Sequence, residues 1–123
     1  MKKSDIDKLD KMFQVLVLSL HNRQSVIDLK PAEVAHHHIP KSKGFATRWW
    51  IPNGVSLTAD QHNLVHGSSP EGEYLKELYT QKMIEKHDSW WHKDLEWRSN
   101  RVVKNLTYKK VHSYFMGERN DYL

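Results

Sequence analysis

The chain has 123 residues, a length that suits one domain with one modest core. Hydrophobic residues make up 38% of it, charged residues 28%, the net charge is +4, and cysteine is absent. This excludes disulfides and any thiolate metal site, so a metal would have to be held by imidazole, carboxylate or water. The positive balance favours an anionic partner such as nucleic acid. The longest apolar run, residues 15–18, is far short of a membrane span. With no signal-peptide pattern at the N-terminus, the expectation is a cytoplasmic protein without a membrane partner. Five tryptophans in so short a chain suggest that aromatic rings supply much of the buried area.

Taken in order, residues 4–21 read as an amphipathic helix. Ser4 is placed to cap it, and Ile6, Leu9, Phe13, Leu16 and Leu20 recur at three- and four-residue steps. His21 at its end reads as a partner for the helix dipole. Residues 22–33 are polar and broken, with room for a short strand at 25–29. Residues 34–39 read as a strand ended by Pro40, followed by a long loop through Pro52 and the turn signal Asn53-Gly54. A second strand at 55–57 would complete a wide hairpin. Thr58 and Gln61 have capping-box spacing for a helix over 59–66, with Gly67 beyond its end and Leu64 pointing to the core.

After the Ser-Ser-Pro break at 68–70, a long helix is expected over 71–87. Its buried stripe would run through Tyr74, Leu75, Leu78, Tyr79, Met83 and Ile84. Residues 88–100 read as a helical continuation, with Trp90, Trp91 and Trp97 as packing residues. Thr107 is placed to cap a last helix over 108–116, with Gly117 at its end, and the final four residues are expected to fray. The chain as a whole reads as α+β and mostly helical: a single domain with a small metal-binding core at 33–67 and a helical, basic extension at 68–123.

Within residues 33–67 lie five of the nine histidines. His36, His37 and His38 are consecutive, and His62 and His66 stand four apart, one helical turn, where both imidazoles can reach one ion. His36 and His37 precede Pro40 by four and three residues, and Asn53 precedes His62 by nine. In these spacings the stretch resembles an HNH endonuclease, whose site is a ββα metal motif. The segment GFATRWWIPNGVSL also resembles HNH proteins of bacteriophages, although the cysteine-based zinc knuckle that many of those add has no counterpart here. The resemblance covers about a third of the chain, 35 of its 123 residues.

Carried over to this sequence, the resemblance implies that His37 is the general base that takes a proton from the attacking water. It implies that His36, His62 and His66 hold one divalent metal ion against the scissile phosphate, and that Asn53 braces the hairpin. The implied products are a 5′-phosphate and a 3′-hydroxyl. In a regular strand His36 and His38 share one face and His37 the other; the spacing to Pro40 selects His36 and His37 as the functional pair, with His37/His38 as the alternative register. Three imidazoles favour Zn²⁺, Ni²⁺, Co²⁺ or Mn²⁺ on ligand type, while the family resemblance keeps Mg²⁺ or Mn²⁺ as the working ion.

The remaining charge is distributed in two runs. Lys41, Lys43 and Arg48 lie without an acid among them beside the motif, and Arg98, Arg101, Lys104, Lys109 and Lys110 form a second acid-free run. Either could be an ordinary solvated surface, and both read as contacts to the DNA backbone. Trp49 and Trp50 read as core or loop anchors rather than base-stacking platforms, and His87, His92 and His112 have no visible partner. The expectation is therefore a DNA-cleaving HNH endonuclease, phage-encoded. A nick, a double-strand break by a homodimer and cleavage of branched DNA all remain open. The alternative from another class is a non-catalytic nucleic-acid-binding module whose metal site is structural.

Overall fold

The computed structural model describes all residues from Met1 to Leu123 and is α+β, 57% helical, with six helices and one two-stranded antiparallel sheet. Helix α1 spans Lys3–Leu20, strand β1 Val34–His37, the short helix α2 Phe45–Arg48 and strand β2 Gly54–Leu57. Helices α3 at Ala59–His66, α4 at Pro70–Lys86, α5 at Trp91–Ser99 and α6 at Tyr108–Phe115 follow. Two single 3₁₀ turns, at Lys41–Lys43 and Ile51–Asn53, bracket α2 and divide what reads in sequence as one long loop.

The hairpin pairs Val34 with Leu57, Ala35 with Ser56, His36 with Val55 and His37 with Gly54. Residues opposite one another in an antiparallel pair share a face, so each face has its own neighbours. Ala35 belongs to a core of Leu9, Phe13, Val17, Trp49, Val111 and Tyr122, built on α1 and α6. Val55 and Leu57 belong to a second core with Tyr79, Met83, Trp91 and Leu95, built on α4 and α5. Trp50 packs against both and ties them together. No helix is long and apolar enough to cross a membrane.

Two glycines set close approaches. A Cβ on Gly54 would lie 2.3 Å from a Val17 methyl, so its absence is what lets α1 lie on the sheet. Gly54 has an extended backbone, so the glycine of the Asn-Gly pair serves packing rather than a left-handed turn. A Cβ on Gly72 would lie 2.1 Å from the Leu64 carbonyl oxygen, where α3 meets α4.

Several local expectations change. Ser4 makes no cap, since α1 begins one residue earlier and Lys2 holds the cap position without a side-chain bond. Residues 25–29 form no strand; a single bridge joins Gln24 and Pro31. Leu64 is only partly buried, and it is Val65 that packs against the second core. Tyr74, Trp90 and Trp97 are exposed rather than packed.

The largest change is at the C-terminus, which is anchored rather than frayed. Tyr122 is fully buried, and its hydroxyl lies 2.7 and 2.9 Å from the carbonyl oxygens of Phe45 and Ala46 and 3.3 Å from the backbone N–H of Trp49. Asp121 accepts two hydrogen bonds from Arg98, each 2.8 Å. Removing the Tyr122 ring should therefore cost about 3–5 kcal/mol, as for other large aromatic truncations in cores. Tyr122→Phe should cost about 1 kcal/mol for the lost hydroxyl contacts. Urea unfolding of the two variants measures both; a Tyr122→Ala midpoint equal to wild type would mean that the tail is loose.

Candidate metal centre and general base

The site is built on a strand with one free edge. In a two-stranded sheet β1 pairs with β2 on one side only, so the side chains of its two faces can meet around the other side. There the structure has a cavity of about 480 Å³. Its walls include Asp10 and Gln14 of α1, all of β1, His62 and His66 of α3, and Lys76 and Tyr79 of α4. The strand alternates regularly, with His37 on the α1 face and His36 and His38 on the α4 face. Although they point to opposite faces of the strand, His36 and His37 both line this opening.

His62 and His66 are aimed by the start of α3. Thr58 Oγ1 accepts the Gln61 backbone N–H at 3.1 Å, and Gln61 Oε1 accepts the Thr58 backbone N–H at 3.0 Å. This completes the expected capping box. The same Gln61 accepts a 2.6 Å bond from Ser25 and donates to Asp28 at 3.0 Å. The irregular segment before β1 thus fixes the helix that carries two of the histidines.

Each of His36, His62 and His66 offers one ring nitrogen within 4.8 Å of the other two, and the Nδ1 atoms of His36 and His62 are 3.2 Å apart. Two imidazole nitrogens on one ion lie up to about 4.2 Å apart, so small ring rotations bring the cluster into a common shell. Burial, reinforced by the neighbouring histidines, pushes the pKa of His36 down to about 3, and burial with His66 beside it lowers that of His62. Both are thus neutral at pH 7, the form that binds a metal. The three histidines could hold one metal ion.

His37 is held differently. Its ring stacks on Phe13 with centroids 4.6 Å apart, and Nε2 lies 2.9 Å from the Arg48 carbonyl oxygen. A carbonyl only accepts, so Nε2 carries the proton and Nδ1 presents a lone pair. Burial pushes the pKa down to about 4 against the opposing effect of that bond. The carbonyl is itself fixed, because Arg48 makes a paired contact to Asp10 at 3.0 and 2.7 Å and the Trp49 indole donates to the same carboxylate at 2.9 Å. Nothing in the sequence singles out Asp10, one of four acids and bases flanking Leu9 in a charged helix face.

Asn53 is fully buried. Its Oδ1 accepts the Ile39 N–H at 2.7 Å, and its Nδ2 donates to the carbonyls of Ile39 and Thr47 at 3.0 and 3.1 Å. These bonds tie the two ends of the hairpin together, and Asn53 does not line the cavity. His38 is buried too, with Nδ1 2.7 Å from the Tyr79 hydroxyl and Nε2 2.8 Å from His92 Nδ1. His92 in turn lies 2.9 Å from Glu96. Tyr79 and His92, neither of which sequence marks as site residues, thus seat the third histidine of the run against α4 and α5.

Compared with family models, curated proteins and solved structures, the chain matches none. The site is therefore known by its geometry.

Of the expected DNA contacts, Lys41 lines the cavity and Lys43 is exposed nearby. Lys76, which sequence did not single out, is exposed and lines the cavity from the other side. Arg48 is half-buried and engaged by Asp10, so its guanidinium is already paired within the fold. Arg98, expected on the DNA-facing surface, is instead buried: it is 5% exposed, bonded to Asp121 and to the Ala46 carbonyl, and stacked 3.8 Å over the Trp50 ring, so its guanidinium is committed to the fold. Arg101, Lys104 and Lys109 are exposed and Lys110 half-buried, and all four lie away from the cavity lining.

Calorimetric titration of the ion-free protein with Zn²⁺ or Ni²⁺ should give one equivalent. His66→Ala, exposed at the end of α3, should weaken binding by at least about tenfold with the fold intact. Unchanged affinity in that variant would remove His66 from the cluster.

The buried histidines also set an acid limit. His21, His37 and His38 have pKa values near 4 and His36 near 3, burial being the main cause in each. The unfolded chain has 6.5 or so, so between the two values it binds more protons than the native state. The ion-free protein should hold full stability above about pH 6.5 and lose it as pH falls toward 4, by up to about 1.4 kcal/mol per pH unit for each group. His21 has neither ring nitrogen paired. His21→Leu should flatten the dependence of Tm on pH, and an unaltered slope would show that His21 takes up no proton there.

Proposed function

We propose that the protein is a metal-dependent endonuclease of the HNH type that hydrolyses phosphodiester bonds in DNA. On this reading it is phage-encoded and works in the host cytoplasm. One observation carries the reading: three converging imidazoles and a fourth with a free Nδ1 open into one cavity around the unpaired edge of β1.

In this mechanism His37 Nδ1 takes a proton from a water that attacks the phosphorus atom. The P–O3′ bond breaks, leaving a 5′-phosphate and a 3′-hydroxyl, with the leaving oxygen protonated from solvent. The imidazolium formed keeps its bond to the Arg48 carbonyl and gains from the Asp10 carboxylate behind it. Lys41 and Lys76 flank the cavity and attract the phosphate. A divalent ion held by His36, His62 and His66 would contact the scissile phosphate and offset charge on the leaving oxygen. Nitrogen donors suit Zn²⁺, Ni²⁺ or Mn²⁺; Mg²⁺ would rely on water and phosphate to complete its shell.

The competing reading is a nucleic-acid-binding module with a structural metal. Three protein ligands would leave a coordination position open, whereas structural sites close theirs, which supports the catalytic reading. Nicking of supercoiled plasmid, with EDTA and metal add-back, decides between them. Wild type should nick only with metal, and His37→Ala should be slower by about 10²–10⁴-fold while still binding one ion. Equal rates would refute the base assignment, and a wild type that cuts no DNA with any metal would leave the binding module.

A further inference from the structure

Helix α5 presents a second surface that the proposed site does not use. Trp90 and Trp97 are 59% and 70% exposed, whereas Trp91 beside them is buried. Trp90, Lys93, Trp97 and Arg101 follow one another at spacings of three, four and four residues, so they line one stripe of the helix and its continuation. Cations lie over both indoles: Lys93 Nζ is 5.1 Å from the Trp90 ring centroid and Arg101 Cζ is 5.9 Å from that of Trp97. Trp91, Leu95 and Arg98 occupy the buried side, and His92, bonded to His38, occupies a third.

A solvent-facing helix has no need of two exposed indoles, and large exposed apolar groups mark interaction sites. The charge around them specifies the partner. From Trp97 to Gly117 there is no acidic residue, while Arg101, Lys104, Lys109 and Lys110 all lie in that span. Of the nearby carboxylates, Asp88 accepts the Trp90 backbone N–H and Glu96 pairs with His92, leaving Asp94, four residues after Trp90 and three before Trp97, as one exposed acid along the stripe. A matching partner carries negative charge along its length and flat apolar faces that fit an indole. Unpaired nucleobases on a phosphate backbone have both, and stacking on tryptophan with cations at the phosphates is the general chemistry of single-strand binding. Seven residues of helix separate the two indoles by about 10 Å, the length of about three stacked nucleotides.

We infer that Trp90 and Trp97 form a stacking platform for unpaired bases, with Lys93 and Arg101 as its phosphate contacts. The DNA on which the site acts then carries a single-stranded stretch, as in a flap, a gap or a branch. The stacking surface stands by itself, whereas its assignment to a nuclease substrate rests on the endonuclease reading above. The link between the two surfaces is physical, since α5 is joined through His92 to His38, two residues from the ligand His36.

The test is fluorescence anisotropy in EDTA with labelled oligo-dT of about 20 nucleotides and a duplex of equal length, long enough to cover a typical single-strand site. Wild type should bind oligo-dT more tightly than duplex. Trp90→Ala/Trp97→Ala should lose about tenfold or more on oligo-dT per tryptophan and less than about twofold on duplex. Both side chains are exposed, so the variant should keep the wild-type Tm, and Trp97→Tyr should retain most of the single-strand affinity. Lys93→Gln/Arg101→Gln should flatten the salt dependence. Oligo-dT affinity equal to wild type in the double variant, or no preference for single strand in wild type, overturns the platform. Loss of binding to phosphatidylserine vesicles with oligo-dT binding unchanged also overturns it, and assigns the stripe to a membrane surface instead. Normal nicking with tryptophan-independent binding refutes the platform alone. Tryptophan-dependent binding without cleavage under any metal refutes the nuclease reading alone.

Discussion

Every polar atom of Asn53 is committed. Its backbone N–H bonds to Trp50, its carbonyl accepts from His38, and its side chain closes on both polar groups of Ile39 and on the Thr47 carbonyl. With no exposure to solvent, none of these bonds can be exchanged for water, so loss of any one strands a buried partner. This single side chain fixes where β1 ends, where β2 begins and where α2 lies relative to both. The Arg48 carbonyl sits one residue beyond the Thr47 that Asn53 holds. The position of the His37 ring is therefore set by Asn53 without any direct contact between them.

The second constraint is that the sheet has only two strands. In a larger sheet, consecutive residues of a central strand face different layers and cannot share a site. Here the free edge of β1 lets His36 and His37 serve one cavity from opposite faces. The same edge would be exposed to pairing with another chain, and α1, α3 and α4 line its flank. Burial under those helices also does the electrostatic work, holding His36, His37 and His38 neutral. The roles proposed for them, metal ligand and general base, would both need neutral imidazole, which one desolvated pocket supplies.

What was legible in the sequence was local. The Thr58–Gln61 box, the Thr107 cap, the periodicity of α1 and the four-residue step of His62 and His66 each involve a few neighbouring residues and leave a pattern in composition. The order of strands and helix around the histidines was legible for the same reason. What stayed hidden depends on partners far along the chain. Tyr122 meets Phe45 and Ala46 more than seventy positions away, and nothing in a terminal Asp-Tyr-Leu announces that. Arg98 sits in a basic run by sequence and in a core by structure because Asp121 and Trp50 come to it. Trp90, Trp91 and Trp97 are alike as letters, and only the phase of α5 separates the buried one from the two exposed.

That separation reveals a division between the two kinds of cation. Arg48 and Arg98, with planar forks that match a carboxylate in two bonds, lock α2 and the C-terminus to the rest of the fold. The side chains left facing outward are mostly lysines, at 41, 43, 76, 104 and 109, strongly hydrated point charges that attract phosphate without fixing its geometry. On the proposed reading, a surface of that kind would hold a nucleic-acid backbone without reading its sequence. Discrimination would then have to come from shape, and the exposed indoles of α5 are the feature able to distinguish an unpaired base from a stacked pair.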